Sequence, residues 1–140
     1  MIVLDTNVVS ELMRLKPATA VLDWVDRQPA AEMYLTAITV AELLYGVGRL
    51  PDGKRKTGFA ERIEALLSED FEHRICPFDE TAAAHYADIV VHRERIGRPI
   101  STADAQIAAT CRSHGAVLAT RNVNDFTDAA VEIVNPWVED

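Results

Sequence analysis

The run Ile2-Val3-Leu4, followed at once by Asp5 and an amphipathic stretch, constrains the fold of this chain most. Three consecutive apolar residues read as a short strand covered on both faces. Such strands are typical of parallel sheets, whose crossover helices shield them from water. Met33-Tyr34-Leu35 and Val117-Leu118-Ala119 read as further short strands. Arg74-Ile75-Cys76-Pro77 is a weaker candidate, and Val131 to Val134 the last.

Helical patterns fill the intervals. One is expected from Thr6 to a point before Pro17, and a second from Thr19 to Arg27, with Val21, Leu22 and Val25 at helical spacing. Another spans Thr39 to Val47, with Gly46 and Gly48 at a frayed end. After the turn Pro51-Asp52-Gly53, a helix with the stripe Phe59, Ile63, Leu66 and Leu67 reaches about Leu67. Asp79 caps a long helix whose stripe is Ala82, Tyr86, Ile89, Arg93 and Ile96, with Gly97 and Pro99 as stop signals. An alanine-rich helix covers Ala103 to Ser113 and ends at Gly115. Strands alternating with helices predict an α/β fold with a mainly parallel sheet.

The 140 residues suit one domain, 1–140, and no repeat, linker or low-complexity segment divides them. No apolar run approaches the roughly 20 residues of a membrane span, so no membrane partner is expected. The N-terminus lacks the pattern of a signal peptide. Cys76 and Cys111 are too few for a disulfide framework and read as buried thiols in a reducing, cytoplasmic setting. The net charge of -8 is the wrong sign for gripping nucleic acid over a wide surface. It fits a basic partner, a concentrated acidic site, or mere solubility.

Ligands of such sheets bind at the carboxyl ends of the strands. Four acids are placed to reach that edge. Asp5 ends the first strand. Glu42 and Asp104 each fall in the first turn of a predicted helix, and Asp125 falls in the loop after Val117-Leu118-Ala119. Singly, each has a structural explanation. Asp5 suits an N-cap, Thr39-Val40-Ala41-Glu42 and Ser101-Thr102-Ala103-Asp104 have capping-box spacing, and Asp125 suits a turn. Together they read differently, because Glu42 and Asp104 have almost wholly apolar neighbours in sequence. Convergent carboxylates repel unless a cation lies between them. A hard divalent ion such as Mg²⁺ or Mn²⁺ prefers oxygen ligands and supports phosphodiester cleavage.

Five segments resemble the PIN domain family, in particular its VapC/FitB-like toxins of type II toxin–antitoxin pairs. They are Leu4-Asp5-Thr6-Asn7, Thr39-Val40-Ala41-Glu42-Leu43, Pro99 to Ala105 with Ile107-Ala108-Ala109, Leu118 to Phe126, and Val134-Asn135-Pro136-Trp137. They cover essentially the whole chain in the family's order. The resemblance implies a three-layer α/β/α sandwich around a central, mainly parallel sheet. It implies a ribonuclease dependent on Mg²⁺ or Mn²⁺, with Asp5, Glu42 and Asp104 as metal-binding carboxylates. Many members carry a fourth acid two residues after the late threonine. Here that position is Asn122, and Asp125 lies three further on, so Asn122, Asp125 or water completes the set. Thr6, Asn7 and Thr120 suit support of Asp5 or a bound water, or simply a hydrogen-bonded turn. The resemblance further implies a cognate antitoxin, operator DNA bound only through that antitoxin, an RNA substrate and a homodimer.

Two other readings compete. A first-strand aspartate also opens aspartyl-phosphate phosphotransferases, but those need a late lysine, and the lysines here are Lys16, Lys54 and Lys56. A catalytically degenerate partner-binding protein is the other, against which the intact Asp5, Glu42 and Asp104 argue. Arg49, Lys54, Arg55 and Lys56 form the densest basic cluster and read as a solvated helix start. Arg14 and Arg121 flank the acids in sequence, with their direction unfixed. Trp24 and Trp137 read as packing residues.

Overall fold

The computed structural model describes residues 1–138; the last two residues of the expected domain 1–140 lie outside the described ones. Five strands form one sheet: β1 (Ile2–Leu4), β2 (Met33–Thr36), β3 (Ile75–Cys76), β4 (Val117–Ala119) and β5 (Ile133–Val134). Their order is β3-β2-β1-β4-β5, and every neighbouring pair is parallel. The central strand is therefore the first one in the chain. The chain builds outward from β1 to β2 and β3, then returns to the other side for β4 and β5. The carboxyl ends of β1 and β4 thus flank the point where strand order reverses, which is where open α/β sheets bind ligands.

Alternation along β1 explains why its residues are all apolar. Val3 packs with Ile89, Ile107, Ala108 and Leu118 on one face. Leu4 packs with Val8, Val9, Val21, Leu43 and Ile63 on the other. The first cluster draws on α5 (Glu80–Arg95) and α6 (Thr102–His114). The second draws on α1 (Thr6–Leu12), α2 (Thr19–Arg27), α3 (Ala37–Gly48) and α4 (Lys54–Ala65). Helices on both faces make the three-layer α/β/α sandwich that the resemblance implies. The small residues Ala105, Ala108 and Ala109 are fully buried and let α6 lie close to both the sheet and α5.

Several boundaries differ from the sequence reading, each for a local reason. The α3 helix begins two residues early, because Thr36 rather than Thr39 is its N-cap and accepts from the Thr39 N–H at 3.1 Å. Glu42 therefore lies in the second turn, and its side chain does not close a capping box with Thr39. The same helix continues through Gly46 and Gly48 instead of fraying there. α1, by contrast, runs Thr6–Leu12 and ends before Pro17 as expected. The helix expected to reach Leu67 stays α-helical to Ala65 and widens into a π-helical turn over Leu66–Asp70. β5 begins at Ile133 instead of Val131. Asp125 lies in a short helix, α7 (Val123–Phe126), not in a loop. Three capping predictions hold: Asp5 caps α1, the Ser101 Oγ accepts from the Asp104 N–H, and the Asp79 Oδ1 from the Ala82 N–H.

Candidate active site

Asp5 is fixed from two sides. Its backbone N–H donates to the Ala119 carbonyl at 2.9 Å and extends the β1–β4 ladder by one residue. Its Oδ1 accepts from the Thr6 N–H at 2.8 Å, so the carboxylate starts α1 as a cap. Its Oδ2 accepts the Thr120 hydroxyl at 2.8 Å. Thr120 in turn accepts from the Asn122 N–H at 3.0 Å and from Asn7 Nδ2 at 3.3 Å. Asn7 closes the ring, its Oδ1 accepting the Arg121 N–H at 3.3 Å. Thr6, Asn7 and Thr120 thus support Asp5 by locking the loop after β4 to the start of α1.

Asp5 is only 5% exposed. Burial pushes its carboxyl up to about 6; the Thr120 and Thr6 hydrogen bonds oppose this, and the charges of Asp104 and Glu42 add to it. Burial likewise raises Asp104, helped by Asp125 and Glu42 and countered by Ser101 and the Arg93 guanidinium. Both shifts include repulsion within one group of acids.

Glu42 reaches the site differently. The Thr6 hydroxyl donates to its Oε1 at 2.7 Å. Thr6 has one hydroxyl proton, so its 3.3 Å contact with the Thr39 hydroxyl is then donated by Thr39. The fully buried Thr36 and Thr39 hydroxyls are also 3.3 Å apart, which extends the chain Thr36–Thr39–Thr6–Glu42. The apolar neighbours of Glu42 do not bury it. Leu44 and Tyr45 are themselves exposed, at 53% and 66%, and Glu42 is exposed with them.

These groups border one open cavity of about 470 Å³ at the carboxyl edge of the sheet. Asp5, Glu42 and Asp104 line it together with Thr6, Asn7 and Asn122. Asp125 is not in the lining, although its charge reaches Asp104. Of the two residues that compete with water for the fourth corner, Asn122 is therefore the one that borders the cavity. Among the described residues, no three acid, imidazole or thiol side chains close into a ready metal cage. The donor set nonetheless fits a hydrated Mg²⁺ ion, which takes one or two carboxylates directly and keeps several waters through which further acids can hold it. All its oxygens are hard, and the buried Asp5 and half-buried Asp104 are destabilised as anions without a cation.

Sequence reasoning missed the roles of four residues. Glu11 is 6% exposed in the cavity wall; its i,i+3 spacing to Arg14 was the available signal. Thr39 was visible only as a cap candidate, and Thr36 had no signal of its own beyond following the β2 run. Arg93, read as part of an apolar stripe, is a buried guanidinium. Its Nη1 donates to the carbonyls of Asp125 and Thr127, both at 2.9 Å, and its Nε to that of Arg98. It pins the α7 segment to the end of α5. The cluster of Arg49, Lys54, Arg55 and Lys56 spans the end of α3 and the start of α4 outside this lining, and Lys56 pairs with Asp52 at 3.3 Å. Among the described residues, no helix is long and apolar enough to cross a membrane.

The PIN domain model matches residues 2–132 of the chain. The VapC ribonuclease Y4jK of Sinorhizobium fredii is 46% identical over 137 residues, covering 98% of either chain. The toxin FitB of Neisseria gonorrhoeae is 45% identical, covering 98% of this chain and 99% of its own. A chain in a solved structure of FitAB bound to a DNA fragment superposes with a TM-score of 0.94 at 44% identity, covering 100% of this chain and 98% of that one. A parallel sheet in the order β3-β2-β1-β4-β5, acids gathered at its reversal point and similarity along nearly the whole length lead to one conclusion: the chain belongs to the PIN domain family.

Proposed function

We propose that this chain is a ribonuclease toxin of the VapC/FitB kind, forming one domain over residues 1–140. It hydrolyses RNA phosphodiester bonds with Mg²⁺, for which Mn²⁺ can substitute. The observation that carries this reading is the lining of a single cavity by Asp5, Glu42 and Asp104. The buried Asp5 and half-buried Asp104, whose carboxyls are raised by burial and by neighbouring acids, fit a resident cation better than a purely structural role. Relatives named a VapC ribonuclease and a toxin support the same activity.

Asp5, Glu42 and Asp104 are the residues that would hold the ion, with Asn122 at the edge and Asp125 acting through its charge on Asp104. Bound there, a divalent cation supplies Lewis acidity toward a phosphoryl oxygen and acidifies water. The chain's own hydrogen bonds hold the ligands ready. Thr120 and the Thr6 N–H orient both oxygens of Asp5, and the Thr6 hydroxyl orients Glu42. Such preorganisation matters because a misplaced ligand costs rate even when the fold is intact.

A cognate antitoxin completes the proposal, as the similar FitB chain is solved within a FitAB complex on DNA. In this reading operator DNA is bound through the antitoxin, and the toxin is a homodimer acting in the cytoplasm.

The test is to map RNA ends after induced expression, wild type against Asp5→Asn. New ends in the wild type that vanish in the variant are expected. Identical ends in both, or none in either, overturn the assignment.

A further inference from the structure

We propose that Arg14 and Arg121 form a guanidinium clamp for one backbone phosphate of a single-stranded RNA, in the cavity that Asp5, Glu42 and Asp104 also line. The inference rests on the ribonuclease reading and adds to it a substrate subsite.

Both arginines line the same cavity as the acids, which fixes a direction the sequence leaves open. Each is pre-oriented by a different device. Arg14 donates from Nη1 to both oxygens of Glu11, at 3.2 Å each. Glu11 is itself held by the Ala18 N–H at 3.1 Å. That arrangement uses one nitrogen of the guanidinium and leaves Nη2 and Nε directed elsewhere. Arg121 lies over the indole of Trp137, 5.2 Å from the ring centroid, and its backbone N–H is tied to Asn7. A guanidinium stacked on an aromatic face keeps its in-plane donors available, and a planar fork matches a phosphate.

The charge count suits the ligand. Glu11 stays ionised. Burial works to raise it, but the Ala18 N–H and Arg14, with the charge of Arg121, hold it below its usual range. Set against Glu11 alone, the two guanidiniums keep a single net positive charge, which matches the single negative charge of a phosphodiester. One cavity thus carries three acids suited to a cation and two arginines suited to an anion. A chain of net charge -8 repels RNA at long range, so a local clamp would be what retains the strand. Arg14 and Arg121 are the binding residues; Glu11 and Trp137 are positioning residues.

The experiment uses the full chain and a fluorescein-labelled mixed-sequence 12-nucleotide RNA in EDTA, where binding is read by anisotropy without cleavage. The double variant Arg14→Gln/Arg121→Gln is expected to bind roughly tenfold or more weakly. The slope of log K against log salt should become shallower by about 0.7 for each phosphate that the variant no longer grips. Trp137→Ala is expected to raise KM for cleavage more than it lowers kcat, and Trp137→Phe to restore KM. Circular dichroism and the melting curve show whether each variant is folded. A folded double variant with unchanged affinity, slope and KM overturns the clamp while leaving the ribonuclease reading intact. A wild type that neither binds nor cleaves RNA overturns both. Loss of binding to a labelled hexaglutamate peptide with RNA binding unchanged would assign the wall to a protein partner and also overturn the clamp.

Discussion

The Thr6 hydroxyl lies 2.7 Å from Glu42 Oε1 and joins the first turn of α1 to the second turn of α3. The same residue gives its N–H to Asp5 at 2.8 Å. One threonine therefore orients two of the three proposed metal-binding carboxylates. Its hydroxyl is in turn fixed through Thr39 and Thr36, both fully buried. Thr6→Val keeps the shape and the N–H but removes the hydroxyl. A hydrogen bond to a charged group contributes about 1.5–3 kcal/mol, so kcat/KM should fall roughly 10- to 100-fold. Thr6→Ser should recover most of it. Steady-state cleavage of a labelled RNA decides between these outcomes and an unaffected rate.

Asp5 makes the metal-free protein less stable as pH rises. Its folded pKa of about 6 lies above the ordinary carboxyl value of 3.8. Between those values the folded state holds a proton that the unfolded state has released. Stability therefore falls as pH rises from about 4 to about 6 and stays low above that. A shift of this size corresponds to about 3 kcal/mol. In EDTA, Asp5→Asn should melt higher than wild type at pH 7.5, and the gap should close near pH 4. Equal melting temperatures at both pH values would show that burial does not penalise the Asp5 anion.

A cation that fills the site should reverse that penalty. Ligands that bind only the folded state stabilise by mass action, about 2.7 kcal/mol at one hundred times Kd. Titrating Mg²⁺ or Mn²⁺ should raise the melting temperature of the wild type. It should leave Asp5→Asn and Asp104→Asn nearly unmoved. Equal rises in all three proteins would place the ion elsewhere.

The sheet was legible because its signals are local. Ile2-Val3-Leu4 has no polar residue and sits where both faces are covered, and Gly115 ends α6 in the left-handed conformation the stop signal implies. The cavity acids were legible through motif order. What escaped the sequence depends on tertiary geometry. Thr36 outcompetes Thr39 as the α3 cap because β2 runs one residue longer and delivers Thr36 at its end. Asp125 was placed in a loop because a four-residue helix is too short to leave a periodic pattern. Arg93 shared helical spacing with Ala82 and Ile89, and nothing in that spacing tells a buried guanidinium from an aliphatic side chain. Its partners are carbonyls up to 34 positions away.

That buried guanidinium is a separate point of fragility. Arg93 is 4% exposed and serves three carbonyls, those of Arg98, Asp125 and Thr127. Arg93→Met fills much of the volume but leaves these acceptors in a poorly hydrated place. Unsatisfied buried polar groups cost about 1–3 kcal/mol each, reduced where water can enter, so a net loss of about 3 kcal/mol is expected. The melting temperature should fall by roughly 10 °C for a chain of this size. The Arg93 charge also holds down the Asp104 carboxyl. Its removal should therefore raise the pH at which half-maximal cleavage is reached, measured below the melting transition. Arg93→Lys restores the charge without the fork. It should return the pH profile toward wild type while recovering little of the melting temperature, and recovery of both together would mean that the hydrogen bonds to the three carbonyls carry no weight.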